Sequence, residues 1–144
     1  MQNLPHHYTV AAMAHPEENV TLTSPGLPPM ASAPPAEFGG PGDHWSPETL
    51  LVAAVADCFI LTFKAIARAS KMDWTGLSCD VTGTLDRVDR VSRFTEFKLH
   101  AVLDVPQGTD RDKAMRLLEK SEQACLITNS MNSEIHLDAE VRVQ

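Results

Sequence analysis

The three cysteines of this 144-residue chain are the side chains that offer redox chemistry. They stand at Cys58, Cys79 and Cys125. A cysteine thiolate attacks peroxides, and a second cysteine can capture the sulfenic acid that forms. A buried free cysteine is also a common inert core residue. The elements that carry the three thiols therefore decide which of them could react.

Cys58 falls near the middle of a long predicted helix, residues 46–70. Ser46 has the residue type of an N-cap, and Pro47 suits the first helical position. Glu48 follows in the first turn, where the helix dipole favours a negative charge. These residues together predict where the helix begins.

The same helix is apolar on every side from residue 50 to residue 63, with Asp57 and Thr62 as the polar interruptions. This pattern predicts a helix that is buried all round. The apolar run is shorter and more interrupted than the about 20 residues that span a bilayer, so no membrane partner is expected.

Cys79 lies in a region whose alternating pattern predicts a long antiparallel hairpin. Its strands cover residues 75–86 and 96–103, joined by a charged turn over residues 86–92. Cys79 falls on the more apolar strand face, which is typical of a small buried hydrophobe. Residues 134–143 alternate in the same way and predict the last strand, with His136 on its solvated face.

Cys125 lies near the end of a second predicted helix, for which Thr109 and Asp112 look like a capping pair. It shares one helical stripe, and so an inward face, with Ala114, Leu117, Leu118 and Ser121.

The region before the long helix predicts two short strands, residues 7–13 and 19–24. Residues 25–35 are too rich in proline for a central strand and predict a loop or an edge strand. The whole chain therefore predicts a single α+β domain, residues 1–144, with mostly antiparallel pairing. One sheet covers one side of the long helix, so a second copy of the chain is expected to cover the rest as a homodimer.

The amino-acid composition of the chain limits the classes of partner and cofactor that are expected. The net charge of −7 argues against a nucleic acid, which needs clustered Lys and Arg. The six histidines show no metal-ligand spacing with cysteines or carboxylates, so neither a metal nor another cofactor is expected. No export signal is recognised, and an odd number of cysteines fits a reducing, cytoplasmic setting.

Two motifs resemble the OsmC/Ohr family, named for osmotically induced protein C and organic hydroperoxide resistance protein. The first, S-P-E-T-L-L-V-A-A-V-A-D-C-F, resembles the family helix motif from Pro47 to Phe59. The second, E-Q-A-C-L-I-T-N-S, surrounds Cys125 and has Leu126 and Thr128 where the family has proline and serine. The order of elements also agrees, so the resemblance covers nearly the whole chain.

The resemblance implies an intertwined homodimer with a central long helix, and a thiol peroxidase acting on organic hydroperoxides. Cys58 would attack the hydroperoxide, Cys125 would resolve the sulfenic acid as a disulfide, and an external thiol would reduce that disulfide. Apolar walls for such a substrate are expected from Phe59, Phe63 or Trp45.

The resemblance also implies that Glu48 orients an arginine that lowers the pKa of the peroxidatic thiol. Glu48 itself stands ten residues before Cys58, about 15 Å along a straight helix, and cannot touch it. No arginine precedes Arg68. The sequence offers Arg87, Arg90 or Arg93, brought by a dimer partner, or His44 as a substitute cation. None of them belongs to a motif, and each could equally be a solvated surface residue. Glu48 could equally be an ordinary acidic residue of a helix first turn.

Three functions remain open from the sequence. The chain could be a peroxidase acting through Cys58 and Cys125. It could be a slower thiol-dependent enzyme or redox sensor with the same fold. It could also be a dimer that binds a small hydrophobic ligand without catalysis.

Overall fold

A computed structural model describes residues 1–144, which form two compact units, Met1–Leu50 and Leu51–Gln144. The single domain expected from the sequence stays a prediction. The α+β class, with mostly antiparallel sheets and few helices, is confirmed.

The first unit contains a three-stranded antiparallel sheet in the order β1-β2-β3. Its strands are β1 (Ala11–Met13), β2 (Val20–Thr23) and β3 (Met30–Ser32). The two predicted strands are therefore present in shorter form. The proline-rich segment supplies an edge strand, because proline cannot donate to a central ladder.

Helix α1 runs from Pro47 to Ala69 and begins where the sequence predicts. The Ser46 hydroxyl accepts a hydrogen bond from the Thr49 backbone N–H (3.1 Å), and the Thr49 hydroxyl accepts one from the Ser46 N–H (2.8 Å). This reciprocal pair satisfies N–H groups that the helix itself leaves without partners.

Burial along α1 is confined to one stripe in the single chain. Val55, Phe59, Phe63 and Ala67 are fully buried and recur every four residues, which places them on one helix face. Leu61, on the opposite face, is 56% exposed. The prediction of burial on all sides is therefore wrong for the chain alone, because packing within the chain covers only one face of the helix.

The apolar stretch of helix α1 is also longer than the run of residues 50–63 read from the sequence. The 23 residues of the helix include an 18-residue window of mean hydropathy 2.1, which is long and apolar enough to cross a membrane by length and composition. A core helix passes the same test, and the buried stripe of α1 belongs to a core. The helix is therefore not a clear membrane span.

The second unit contains a sheet in the order β4-β5-β6. Strands β4 (Gly76–Val88) and β5 (Val91–Val105) are antiparallel, whereas β6 (Glu134–Val143) runs parallel to β5. The hairpin turn is only Asp89–Arg90, both at positive φ (49° and 68°), as a tight two-residue turn requires. The predicted seven-residue turn is wrong because both strands continue through its charged residues.

Helix α2 (Arg111–Ala124) and the four-residue helix α3 (Leu126–Asn129) connect β5 to β6. The N-cap of α2 is Asp110, whose carboxylate accepts from the Lys113 N–H. The predicted Thr109–Asp112 capping pair is thus wrong by one residue. Thr109 instead donates its hydroxyl to the Pro106 carbonyl (2.7 Å).

The core of the second unit lies between the inner face of the sheet and the two longer helices. It joins the buried stripe of α1 to residues of β5 and α2, among them Phe97, Leu99, Leu103, Ala114 and Leu118. Phe63 packs edge-on against Trp74 at 5.6 Å between ring centroids.

Gly83 of β4 lies where a side chain of α1 packs closely against the sheet. A Cβ added there would lie 2.9 Å from Val52 Cγ2 and 3.0 Å from Phe97 Cε1. We expect Gly83→Ala to destabilise the protein by about 1–3 kcal/mol, because an added methyl group strains a packed core. Urea unfolding measures this change. Gly76→Ala, whose added Cβ meets nothing nearer than 3.5 Å, is the matched control, and equal stability of both variants would contradict the close packing.

Candidate functional site

The fold of the second unit brings Cys58 and Cys125 together although they stand on different helices. Cys58 lies on the flank of α1 and is partly exposed, whereas Cys125 is buried in the break between α2 and α3. Cys125 has an extended backbone (φ −65°, ψ 110°), which turns the chain from one helix into the next. The two thiols lie near enough for each to shift the pKa of the other.

The surroundings of Cys58 favour its ionised form. Burial raises the pKa of the Cys58 thiol, but hydrogen bonds from the Ile127 backbone, the Cys125 thiol, the Thr62 hydroxyl and the Leu126 backbone outweigh it, so the pKa lies below its ordinary value. The Thr62 Oγ1 lies 3.8 Å from the Cys58 Sγ, one helical turn further along α1. Hydrogen-bond donors therefore stabilise a thiolate at Cys58, and no cation is among the groups that do so.

The surroundings of Cys125 have the opposite effect. Burial raises the pKa of the Cys125 thiol, and so do the hydrogen bond and the charge of Cys58, although the Thr128 backbone and hydroxyl oppose them. Cys58 is therefore the more acidic thiol of the pair, and Cys125 keeps its proton to a higher pH. A nucleophilic thiol with a second thiol nearby is the arrangement that forms and then traps a sulfenic acid.

Cys79 lies half-buried on the inner face of β4. Burial, followed by the negative charges of Asp80 and of Cys125, raises the pKa of Cys79 to about 12. Cys79 thus stays a neutral thiol at physiological pH. This agrees with its expected role as a small core residue.

Glu48 belongs to the first unit, where it lies in the first turn of α1. Its Oε1 atom is buried and has no hydrogen-bond partner. The arginine that the resemblance implies is not beside it. Arg87, Arg90 and Arg93 are exposed around the tip of the β4–β5 hairpin and form no ion pair.

His44, another candidate cation, is already engaged. Its Nδ1 lies 2.6 Å from Asp43 Oδ1, and its Nε2 lies 3.2 Å from the Asn19 amide nitrogen. Phe59 and Phe63, expected as substrate walls, are fully buried and face the core, so that prediction is wrong for the single chain. Trp45 is half-exposed in the first unit.

A group of possible metal ligands lies on the outer face of the sheet, which the sequence analysis did not find. Ligand atoms of Glu96, Glu134 and His136 lie within 4.8 Å of one another. The register of the parallel β5–β6 pair sets Glu96 beside Glu134, and this could not be read from spacing along the chain. Lys98 Nζ lies 3.4 Å from Glu96 and supplies one counter-charge to the group, and His136 Nε2 lies 3.5 Å from Glu134.

The residues that sequence reasoning missed are the donors to Cys58. Thr62 appeared only as a polar interruption of an apolar helix, although its spacing of four residues from Cys58 places both on one face. Leu126 and Ile127 act through backbone groups, for which side-chain type carries no signal.

Comparison with known proteins gives a family match over residues 40–140, to the model described as OsmC-like protein. The chain is 26% identical over 97 residues to Peroxiredoxin OsmC of Escherichia coli (strain K12), which covers 67% of each chain.

Solved structures agree with this match. An OsmC-like protein of unknown function from Vibrio cholerae superposes with a TM-score of 0.84 at 14% identity, covering 94% of this chain and 99% of the other. An organic hydroperoxide resistance protein OsmC from Legionella pneumophila superposes with a TM-score of 0.74 at 26% identity, covering 96% and 100%.

Proposed function

This chain belongs to the OsmC-like protein family, and on that premise we propose that it is a thiol peroxidase that reduces organic hydroperoxides. The observation that carries the proposal is the proximity of two thiols whose pKa values shift in opposite directions, down at Cys58 and up at Cys125. The similarity to a peroxiredoxin and to an organic hydroperoxide resistance protein supports the same reaction class.

The first step is attack of the Cys58 thiolate on the terminal oxygen of a hydroperoxide. A sulfur–oxygen bond forms, the oxygen–oxygen bond breaks, and the leaving alkoxide takes a proton to become an alcohol. Cys58 is oxidised to a sulfenic acid and the peroxide is reduced. The hydrogen bonds to Cys58 raise the fraction of reactive thiolate at neutral pH.

The second step is attack of the Cys125 sulfur on the sulfenic sulfur of Cys58. A disulfide forms, the sulfur–oxygen bond breaks, and the hydroxide leaves as water with the proton that the Cys125 thiol gives up. An external dithiol then reduces the disulfide and restores both thiols. Because the two thiols already lie near each other, resolution needs little movement of the chain.

Organic substrates are favoured by the apolar surface beside Cys58. Leu126, adjacent to Cys125, is 66% exposed, and Leu61 lies one turn beyond Cys58 on α1. Exposed apolar side chains next to a reactive thiol favour a hydroperoxide with an apolar body over hydrogen peroxide.

A homodimer is part of the proposal. The side of α1 that the chain leaves uncovered carries Ala54, Leu61 and Ala65 at helical spacing, in line with Cys58. An apolar helix face of this kind is a common protein-interaction surface. A second copy would cover it and would complete the surroundings of Cys58. Three free thiols suit a reducing compartment, so we place the protein in the cytoplasm.

One observation favours a second function, a redox sensor with slow turnover. No positive charge is among the groups that lower the pKa of Cys58. A thiolate stabilised only by hydrogen bonds is less activated than one beside a cation, and oxidation to the Cys58–Cys125 disulfide would then act as a signal.

Steady-state consumption of cumene hydroperoxide with dithiothreitol tests the proposal, with hydrogen peroxide compared at equal concentration. We expect multiple turnovers and faster consumption of the organic peroxide. Mass spectrometry after one equivalent of peroxide should find a Cys58–Cys125 disulfide and an unmodified Cys79. A disulfide without turnover would favour the sensor, and no disulfide would overturn both functions.

A further inference from the structure

The first unit contains an apolar cavity with a single acidic side chain in its wall. Its volume is about 250 Å³, and Glu48 is the one ionisable residue among those that line it. The other lining residues are Val20, Ser32, Ala33, Pro34, Pro35, Phe38 and Pro47. The Glu48 Oε1 atom is buried there without a hydrogen-bond donor.

An unpartnered buried carboxylate oxygen is costly, because it has lost water and gained no donor in exchange. Such atoms are rare in folded proteins, and each calls for an explanation. No Lys or Arg precedes Lys64 in the chain, so the unit that holds the cavity has no cationic side chain of its own, apart from any protonated histidine. A lysine or arginine partner for Glu48 would therefore come from outside this unit.

Arg87 has the properties that this donor needs. It is exposed, its guanidinium group forms no ion pair or hydrogen bond, and its pairing partner in β5 is the small residue Ser92. It lies two residues beyond Leu85, on the strand face that continues the inner face of the sheet. The apolar side chain of Leu85 and the guanidinium of Arg87 therefore lie on one strand face. They would match the cavity, which has apolar walls and one carboxylate.

The part of the hairpin that carries Arg87 also lacks support. Strand β6 pairs with β5 only from Glu96 onward, so the tip of the hairpin is a two-stranded ribbon. A two-stranded ribbon is marginally stable in water unless it packs against something. Arg93, by contrast, lies opposite Asp86 in the strand register, on the other face of the ribbon, although the two side chains form no ion pair.

We propose that the Arg87 guanidinium of a second copy of the chain enters the Glu48 cavity and donates to the buried carboxylate oxygen. Each site is then complete only in the assembly, since the acid and the cation come from different copies. The inference rests on the homodimer of the proposed function, but not on peroxidase activity.

Charge reversal tests this exchange between copies. Glu48→Arg and Arg87→Glu should each weaken self-association, because each homodimer then sets like charges against each other. An equimolar mixture, unfolded and refolded together, should form heterodimers, since every contact again joins an acid to an arginine. Sedimentation velocity with one variant fluorescently labelled measures this. Failure of the mixture to associate better than either variant alone would overturn the proposal.

A double-mutant cycle keeps the test decisive if the reversed charges prevent folding. We expect Glu48→Gln and Arg87→Ala each to weaken self-association roughly tenfold or more, and the double variant to be little worse than either one. Arg93→Ala, on the opposite ribbon face, is the matched control and should associate normally. Additive effects of the two variants would show that the residues do not interact. A wild-type protein that is monomeric would instead overturn the homodimer itself.

Discussion

Replacing Cys58 by serine should abolish hydroperoxide reduction, lowering steady-state turnover by roughly a thousandfold or more, the order expected when a catalytic nucleophile is removed. A serine hydroxyl does not ionise near neutral pH and cannot form a sulfenic acid. The substitution is nearly isosteric, so the hydrogen bond to Thr62 can be kept. The loss would therefore report chemistry and not folding.

Cys79→Ser is the matched control for this prediction. It removes a thiol from the same unit whose pKa is raised to about 12 and which is therefore not a thiolate at neutral pH. We expect unchanged turnover from Cys79→Ser and an unchanged melting temperature from Cys58→Ser. Full multiple turnover in the Cys58 variant would exclude the mechanism.

Replacing Cys125 by serine should separate the first turnover from the later ones. The first equivalent of peroxide should be consumed at nearly the normal rate, because the serine hydroxyl can still donate to the Cys58 thiolate. Multiple turnover should fall roughly tenfold or more, because no internal thiol captures the sulfenic acid. Intact-mass measurement should then show sulfinic and sulfonic acid at Cys58 as peroxide increases.

Cys125→Ala, compared with Cys125→Ser, separates the role of Cys125 as a hydrogen-bond donor from its role as the resolving thiol. Alanine removes the donor as well as the resolving thiol, so the pKa of Cys58 should rise, and the first turnover at neutral pH should slow. The pH dependence of Cys58 alkylation measures this shift against Cys125→Ser. If either variant still turned over repeatedly and formed a disulfide within the chain, another thiol of the protein would be the one that resolves Cys58.

The secondary structure was predictable where local chemistry decides it. The Ser46-Pro47 start of α1 and the alternating strand from Glu134 to Val143 appear in the structure with the predicted bounds. The length of the hairpin turn was not predictable from its charged residues. The two strands pair as far as Val88 and Val91, which leaves Asp89 and Arg90 to form the turn at positive φ. The N-cap at Asp110 differed by one residue because Thr109 and Asp110 both offer a capping oxygen.

The candidate site was predictable in its side chains but not in its electrostatics. The motifs around Cys58 and Cys125 indicated the two thiols, and the fold brings them near each other. The donors that lower the pKa of Cys58 include the backbone of Ile127 and Leu126, whose positions depend on how the break between α2 and α3 meets α1. Side-chain patterns contain no information about backbone donors of this kind. The resemblance instead implied a cation beside the thiol.

The break between α2 and α3 also limits how this site can change over evolution. Cys125, the resolving thiol, is followed directly by Leu126 and Ile127, whose backbone groups stabilise the Cys58 thiolate. An insertion or deletion in this short segment would displace the resolving sulfur and the activating donors in one event. A lineage therefore cannot discard resolution by such a change and keep an activated nucleophile. Point substitution of Cys125 is the route that separates them, and it leads to a peroxidase that depends wholly on external thiols.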